Sequence, residues 1–144
     1  MKPGDELPPL SVPVTRTLIV AGAIASRDYQ DVHHDPEAAR AKGAPDIFMN
    51  IVTTNGLVGR YVTDHFGSGA VLRKMAIRLG APNYPGDVMV LTGTITSVCA
   101  DGDGEDGNEA DGSPALVDVA IVGTNRLGRH VSGTVTVSLA GKAS

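Results

Sequence analysis

The sequence predicts one α+β domain in which an antiparallel sheet wraps around a long central helix. Three observations support this prediction: a length of 144 residues, an apolar segment with helical spacing at 46–67, and a series of strand-like segments that follows it. A chain of this length can bury one substantial core but not two large ones. Residues 1–144 are therefore treated as a single domain.

The first third of the chain is predicted to hold a lead-in, a strand and a short helix. Residues 1–13 are rich in proline and predict an extended lead-in, whereas the β-branched, apolar segment 15–25 predicts a strand. Segment 35–43 begins with an aspartate, continues with Pro36 and ends at Gly43. An Asp cap, a proline at the first helical position and a glycine after the end are typical of a short helix.

The central helix is predicted over residues 46–67, because its apolar residues recur at helical rather than alternating spacing. Gly56 and Gly59 lower its intrinsic helicity. Their separation of three residues predicts close packing against another backbone. Its many Val, Ile and Thr residues indicate that tertiary contacts stabilise this helix.

Four antiparallel strands are predicted after the helix, at 70–79, 88–98, 115–125 and 130–140. Alternation of apolar and polar residues is typical of half-buried antiparallel strands. In the first of these strands, strict alternation places Arg73 on the face of Met75, Ile77 and Leu79, and Lys74 and Arg78 on the opposite face.

The charge distribution argues against a nucleic-acid-binding function. The formal charge is −4, but residues 101–112 carry six acids and no base, so the remaining chain has −4 + 6 = +2. We predict a flexible acidic loop over 101–114, because such a composition cannot bury enough apolar surface. The chain lacks the basic cluster and aromatic platform of a nucleic-acid-binding protein.

Composition also predicts the cellular location of the protein. No apolar run approaches membrane-spanning length, and the N-terminus has no apolar core of a signal peptide. The single cysteine, Cys99, excludes an internal disulfide and suits a reducing compartment. These features predict a cytoplasmic protein without membrane association.

The segment "SRDYQDVHHDPEAA" at 26–39 concentrates ionisable groups before the short helix. Asp35 is explained as the helix cap, and His33 and His34, being adjacent, are expected to point to opposite sides. Adjacent histidines rarely bind one ion and no HExxH-type pattern occurs, so no metal site is predicted. Asp28 and His33, five residues apart, are a carboxylate and an imidazole that could hold one water between them. Composition alone favours a structural role, because acids and histidines are common where a loop joins a helix.

The same segment resembles the hydratase motif of the MaoC-like, (R)-specific enoyl-CoA hydratases, whose pattern runs roughly G-D-x-N-P-x-H-x-D-x-x-A. The Asp-to-His spacing is kept here, whereas Arg27 replaces the glycine and Gln30-Asp31 replaces Asn-Pro. Segment 43–50, "GAPDIFMN", stands where the family opens its central helix. Segment 81–87, "APNYPGD", resembles the turn after the family's first meander strand.

This resemblance implies a hotdog fold with Asp28 and His33 as the catalytic pair. It implies that backbone N–H groups at Met49 and Asn50 polarise the thioester carbonyl, with the amide of Asn50 as a further donor. The substrate would be a coenzyme A thioester, and no cofactor is expected. Arg73, Lys74 and Arg78 are candidates for contacting the phosphates of coenzyme A, with a solvated strand face as an equally supported interpretation.

Within this family, the chain resembles the small subunit of actinobacterial steroid side-chain hydratases. That group implies a 17-ene steroid-20-carboxyl-CoA substrate and a larger MaoC-plus-DUF35 partner, in a heterodimer or heterotetramer. Three alternatives stay open from the sequence: a homodimeric hydratase of short or medium enoyl-CoA chains, a hotdog thioesterase, and a non-catalytic hotdog subunit. The thioesterase would need a carboxylate such as Asp46 or Asp64 on the long helix.

Overall fold

The computed structural model describes residues 1–100 and 115–140. In chain order the elements are β1 (Glu6–Pro13), α1 (Arg16–Ala25), a 3-10 turn (Asp31–His33), α2 (Pro36–Ala41), α3 (Ile51–Phe66), β2 (Ala70–Leu79), β3 (Val88–Ala100), β4 (Ala115–Asn125) and β5 (Gly128–Leu139). The predicted acidic loop at 101–114 lies outside the described residues.

The described strands form one antiparallel sheet in the order β1-β3-β4-β5-β2. Helix α3 packs on one face of this sheet, against β2, β3 and β5. It buries Thr54, Val58, Tyr61 and Val62 there. The facing strands contribute alternate apolar side chains, among them Leu91, Val119 and Val135. The predicted α+β architecture, with a sheet around a long helix, is confirmed.

The prediction of a strand at 15–25 is wrong, because Arg16–Ala25 forms helix α1. The side chain of Thr15 caps this helix by accepting a hydrogen bond from the Leu18 N–H. Ile19 and Ala23, four residues apart, face the core. Tertiary burial of one helical face thus overrides the strand preference of its Val and Ile residues.

Residues 1–13 were expected to be only an extended lead-in, but Glu6–Pro13 forms an edge strand of the sheet. It pairs antiparallel with β3 and buries Leu7. Pro8, Pro9 and Pro13 are accommodated because an edge strand leaves one side of its backbone unpaired.

Helix α3 begins at Ile51, later than predicted, because Asn50 caps it. The expected close backbone approach at its glycines is also wrong. A Cβ at Gly56 would meet nothing within 4 Å, and one at Gly59 would touch only the end of the Met75 side chain. The close approach occurs instead at Gly22 of α1, where a Cβ would lie 2.2 Å from Thr53 Oγ1. Gly22 therefore lets α1 pack directly on the first turn of α3.

Strand β2 contains a bulge that changes the predicted facing of its side chains. The register shifts between Leu72 and Lys74, so Arg73 is the additional residue. Beyond the bulge, Lys74 lies opposite Thr136 and Arg78 lies opposite Ser132, on the face away from α3. Arg73 turns to the same outer face.

No helix within residues 1–100 and 115–140 is both long enough and apolar enough to cross a bilayer.

The α1–α3 contact predicts opposite effects for two glycine-to-alanine substitutions. Gly22→Ala should lower the free energy of unfolding by about 1–2 kcal/mol, because the added methyl overlaps Thr53. Gly56→Ala, on an exposed face of α3, should raise it by about 0.5–1 kcal/mol through helix propensity. Urea denaturation of both proteins measures this difference. Equal effects of the two substitutions would contradict the proposed packing.

Candidate active site

Asp28 is placed by the way helix α1 ends. The Arg27 N–H donates to Ile24 O and the Asp28 N–H donates to Ala23 O, at 3.0 and 2.9 Å. These two bonds form a Schellman motif, which requires a left-handed residue after the cap. Arg27 takes that conformation, with φ of 53°. The position where the related motif has glycine therefore keeps the glycine-type backbone, and Asp28 leaves the helix in a fixed direction.

His33 is placed by the 3-10 turn that precedes α2. It is buried, and its Nδ1 lies 2.7 Å from the carbonyl oxygen of Phe48. A carbonyl oxygen only accepts, so Nδ1 carries the hydrogen. The ring also packs edge-on against Phe48. Nε2 is therefore the ring nitrogen available for proton transfer.

The two residues predicted to form the catalytic pair lie close together, with His33 Nε2 3.3 Å from Asp28 Oδ2. Both line a cavity of about 360 Å³ at the start of α3. The other residues around this cavity are Gln30, Phe48, Met49, Asn50, Ile51, Leu79, Gly80, Pro82 and His130. A water in the cavity could bond to both the carboxylate and the imidazole.

Asn50 organises this site with both ends of its side chain. Its Oδ1 accepts from the Thr53 N–H and caps α3. Its Nδ2 donates to Asp28 Oδ2 at 3.0 Å and to Ser26 Oγ at 2.9 Å. Both amide hydrogens are thus in use. The expectation that this amide donates to a thioester is corrected: it holds the carboxylate of Asp28 instead.

Hydrogen bonding keeps Asp28 in its ionised form. The Asn50 amide is the main cause that lowers the pKa of the Asp28 carboxyl below its ordinary value, and partial burial opposes this shift. The backbone N–H of Gln30 and the electrostatic interaction with His33 lower that pKa further. Asp28 is therefore a carboxylate near neutral pH, suited to accepting hydrogen bonds from water.

The neighbouring ionisable groups have other partners. Asp35 caps α2 by accepting from the Glu37 and Ala38 N–H groups, as predicted. Asp31 pairs with Lys42, whose hydrogen bond lowers the pKa of the Asp31 carboxyl. His34 is exposed. The cluster thus separates into one dyad, with His33 buried and Asp28 partly buried, and a set of surface and capping groups.

Among residues 1–100 and 115–140, Asp28 supplies the only carboxylate that lines the cavity, so the thioesterase alternative has no second carboxylate there. Asp46 is held by two hydrogen bonds from Arg16, which lower the pKa of its carboxyl. Asp64 pairs with Arg60 on the exposed surface of α3, near its other end. Neither side chain lines the cavity.

Backbone donors are available at the start of α3, but not at Met49. The Met49 N–H donates to Asn83 O at 3.1 Å, so the prediction of Met49 as a thioester donor is corrected. Among the described residues, the N–H groups of Asn50, Ile51 and Val52 have no acceptor. Free N–H groups at a helix start carry partial positive charge and suit a developing oxyanion.

The three basic residues predicted to contact coenzyme A lie together on the outer face of β2. The Nε of Arg73 donates to Ser138 Oγ at 2.9 Å. Lys74 and Arg78 project from the same face, away from α3. They do not line the dyad cavity, so a contact with the phosphates stays a prediction.

Sequence reasoning missed a pair of buried polar residues, His130 and Thr54, of which His130 is at this cavity. His130 lines it, and its Nε2 lies 2.9 Å from the Thr54 hydroxyl. In the sequence His130 reads only as the first polar residue of an alternating strand. Its separation from Thr54 by 76 positions leaves no local signal of their contact.

Comparison with known proteins identifies the family. A model described as "MaoC like domain" matches residues 2–113. The chain belongs to the MaoC-like family. Within residues 1–100 and 115–140, no three His, Cys, Asp or Glu side chains are grouped as metal ligands.

A mycobacterial protein sequence and a chain in a mycobacterial crystal structure are each similar to this MaoC-like chain. The 3-oxo-4,17-pregnadiene-20-carboxyl-CoA hydratase beta subunit of Mycobacterium tuberculosis is 43% identical over 136 residues, covering 94% of this chain and 95% of that protein. A chain in the crystal structure of the ChsH1-ChsH2 complex from the same organism is 41% identical, with a TM-score of 0.81. That match covers 95% of this chain and 97% of the other.

A more distant structure supports the fold alone. R-hydratase PhaJ1 from Pseudomonas aeruginosa, in its unliganded form, is 15% identical with a TM-score of 0.78. The match covers 99% of this chain and 84% of that one. The predicted hotdog fold of this MaoC-like chain is confirmed.

The contact between Asn50 and Asp28 predicts a pKa change in Asn50→Asp. The new carboxylate can still cap α3, but it faces Asp28 with a like charge instead of a donor. The pKa of Asp28 should therefore rise by about one unit or more. Titration of the carboxyl ¹³C signals by NMR measures it.

Asn55→Asp is the matched control, because it adds the same charge farther along α3 without contacting Asp28. An unchanged Asp28 pKa in Asn50→Asp, or an equal rise in both variants, would contradict the assignment.

Proposed function

We propose that this protein is the catalytic subunit of an enoyl-CoA hydratase, which adds water across the α,β double bond of an acyl-CoA thioester. The observation that carries the proposal is the Asp28–His33 pair, 3.3 Å apart, in a cavity at the start of α3. Membership of the MaoC-like family and the hydratase name of the 43% identical relative support it.

In the proposed reaction, one water bonds to Asp28 Oδ2 and His33 Nε2. Nε2 takes a proton as the water oxygen attacks the β-carbon, and the bond from Nδ1 to Phe48 O keeps the ring in the required tautomer. The ionised Asp28 orients the water and stabilises the imidazolium. The same pair then delivers the proton to the α-carbon, so that one water supplies both added groups.

The start of α3 would stabilise the charge that develops on the thioester oxygen. Attack at the β-carbon moves electrons towards the carbonyl and gives an enolate before the α-carbon is protonated. The free N–H groups at Asn50 and Ile51 are candidate donors to this oxygen. Such preorganised donors commonly contribute a large share of catalysis in a site that excludes water.

We further propose a steroid side-chain enoyl-CoA as substrate and a larger MaoC-like subunit as partner. The relative named for 3-oxo-4,17-pregnadiene-20-carboxyl-CoA and the similar chain in the ChsH1-ChsH2 complex support both points. The dyad cavity of about 360 Å³ is at the lower end for a ligand pocket and suits the reacting end of so large a molecule. A second subunit would cover the remainder of the steroid substrate.

The free edge of β2 is the surface we assign to this partner. Among the described strands, β2 pairs only with β5. Val71 and Leu72 at its start are 50% and 43% exposed. An unpaired edge with exposed apolar residues favours association with another strand. Arg73, Lys74 and Arg78 on this strand stay candidates for the coenzyme A phosphates, and a cytoplasmic location is part of the proposal.

Removing either member of the dyad should abolish hydration. In the assembled protein, Asp28→Asn and His33→Ala should each lower kcat/KM by about 10²–10⁴, the range for loss of a general acid–base group. Loss of enoyl-CoA absorbance measures the rate.

Asp31→Asn and His34→Ala are matched controls, since they change the same residue types within the same segment but outside the cavity. Both should keep most of the activity. Near-normal rates in the dyad variants would refute the catalytic assignment.

Partner and substrate are tested together by co-expression with a larger MaoC-like subunit, followed by assays on a short-chain and a steroid enoyl-CoA. We expect co-purification and faster hydration of the steroid thioester. Val71→Asp with Leu72→Asp should weaken the complex, because it places charge at the β2 edge. Val88→Asp, an exposed valine on β3, should not. A fully active isolated chain would count against the heteromer.

A further inference from the structure

His130 is a buried histidine that the proposed reaction does not use. It is 2% exposed, and both ring nitrogens are hydrogen-bonded. Nδ1 lies 2.7 Å from Ala81 O and therefore carries the hydrogen. Nε2 then accepts from the Thr54 hydroxyl at 2.9 Å. Burial lowers the pKa of His130, which favours this neutral form.

These bonds join three elements around the cavity. Thr54 lies in the first turn of α3, whose free N–H groups are the candidate oxyanion donors. His130 lies at a register shift near the start of β5, and its own carbonyl accepts from the Gly80 N–H at 2.7 Å. Its side chain and backbone thus both hold segment 80–81. With Leu79 and Pro82, Gly80 lines the same cavity as the dyad.

The start of α3 is consequently fixed by two separate sets of contacts. Asn50 ties it to Asp28, and Phe48, just before it, ties it to His33. Thr54 ties it to His130. The first set determines where the water is held, and the second determines where the first helical turn lies relative to the cavity wall.

We propose that Thr54 and His130 are positioning residues that hold the first turn of α3, and so its oxyanion donors, in register with the water-activating dyad. This inference rests on the proposed hydratase function. A direct proton-transfer role for His130 does not fit, because both nitrogens are engaged and almost none of the side chain is exposed.

Four substitutions separate positioning from general stability. Thr54→Val keeps the shape but removes the hydroxyl, whereas Thr54→Ser keeps the hydroxyl. His130→Asn can retain the donor to Ala81 while losing the acceptor for Thr54. Thr63→Val is the matched control, because Thr63 also lies on α3 but its hydroxyl bonds only to carbonyls of that helix.

The test measures kcat and KM for enoyl-CoA hydration in the assembled complex, at a temperature where every variant is folded. Thr54→Val should lower kcat about 10-fold with KM changed less than about two-fold, since small displacements of reacting groups cost rate. Thr54→Ser should restore most of kcat, and Thr63→Val should leave it unchanged. Combining Thr54→Val with His130→Asn should lower kcat little further, because both substitutions break the same Thr54–His130 hydrogen bond.

The proposal is overturned if Thr54→Val has normal kcat, if its defect lies in KM alone, if Thr54→Ser is equally impaired, or if the double variant shows additive losses. If the wild-type complex does not hydrate enoyl-CoA, the proposed hydratase function is refuted instead. Amide hydrogen exchange at Thr53, whose N–H donates to Asn50 Oδ1, then decides on the contact alone: faster exchange in Thr54→Val but not in Thr63→Val supports the positioning of this turn, and equal exchange refutes it.

Discussion

The geometry of the candidate active site depends on the hydrogen bonds of the Asn50 side chain. One end caps α3, and the other donates to Asp28 and to Ser26 at the end of α1. A single buried amide therefore fixes the helix start, the Asp28 carboxylate and the junction between two helices. A glycine at this position could provide a backbone donor but none of these three contacts.

Helix α1 lies where local sequence preference predicted a strand, at residues 15–25. Its Val and Ile residues favour a strand, and only contacts distant in sequence reverse that preference. Gly22 lets the helix approach Thr53, and the Schellman motif at its end sets Asp28. The error in secondary structure thus concerned the element that positions the candidate dyad, although the resemblance of segment 26–39 to the hydratase motif had already indicated Asp28 and His33.

The long helix and the four strands that follow it were predictable because helical spacing and alternation are local patterns. The bulge at Arg73 was not, since one extra residue leaves the local composition unchanged while it reverses the facing of Val71. The pairing of His130 with Thr54 was unpredictable for another reason. It joins a strand to a helix through the tertiary fold, and neither residue belongs to the hydratase motif.

The arrangement also explains how the site holds two negative charges close to one helix. Asp28 stays ionised because the residue that caps α3 donates to it, and the proposed enolate oxygen would meet the free N–H groups of the same turn. Both anions thus depend on the position of one helical turn. A displacement of that turn would weaken water activation and enolate stabilisation together, which gives a physical reason for fixing it from both sides of the cavity.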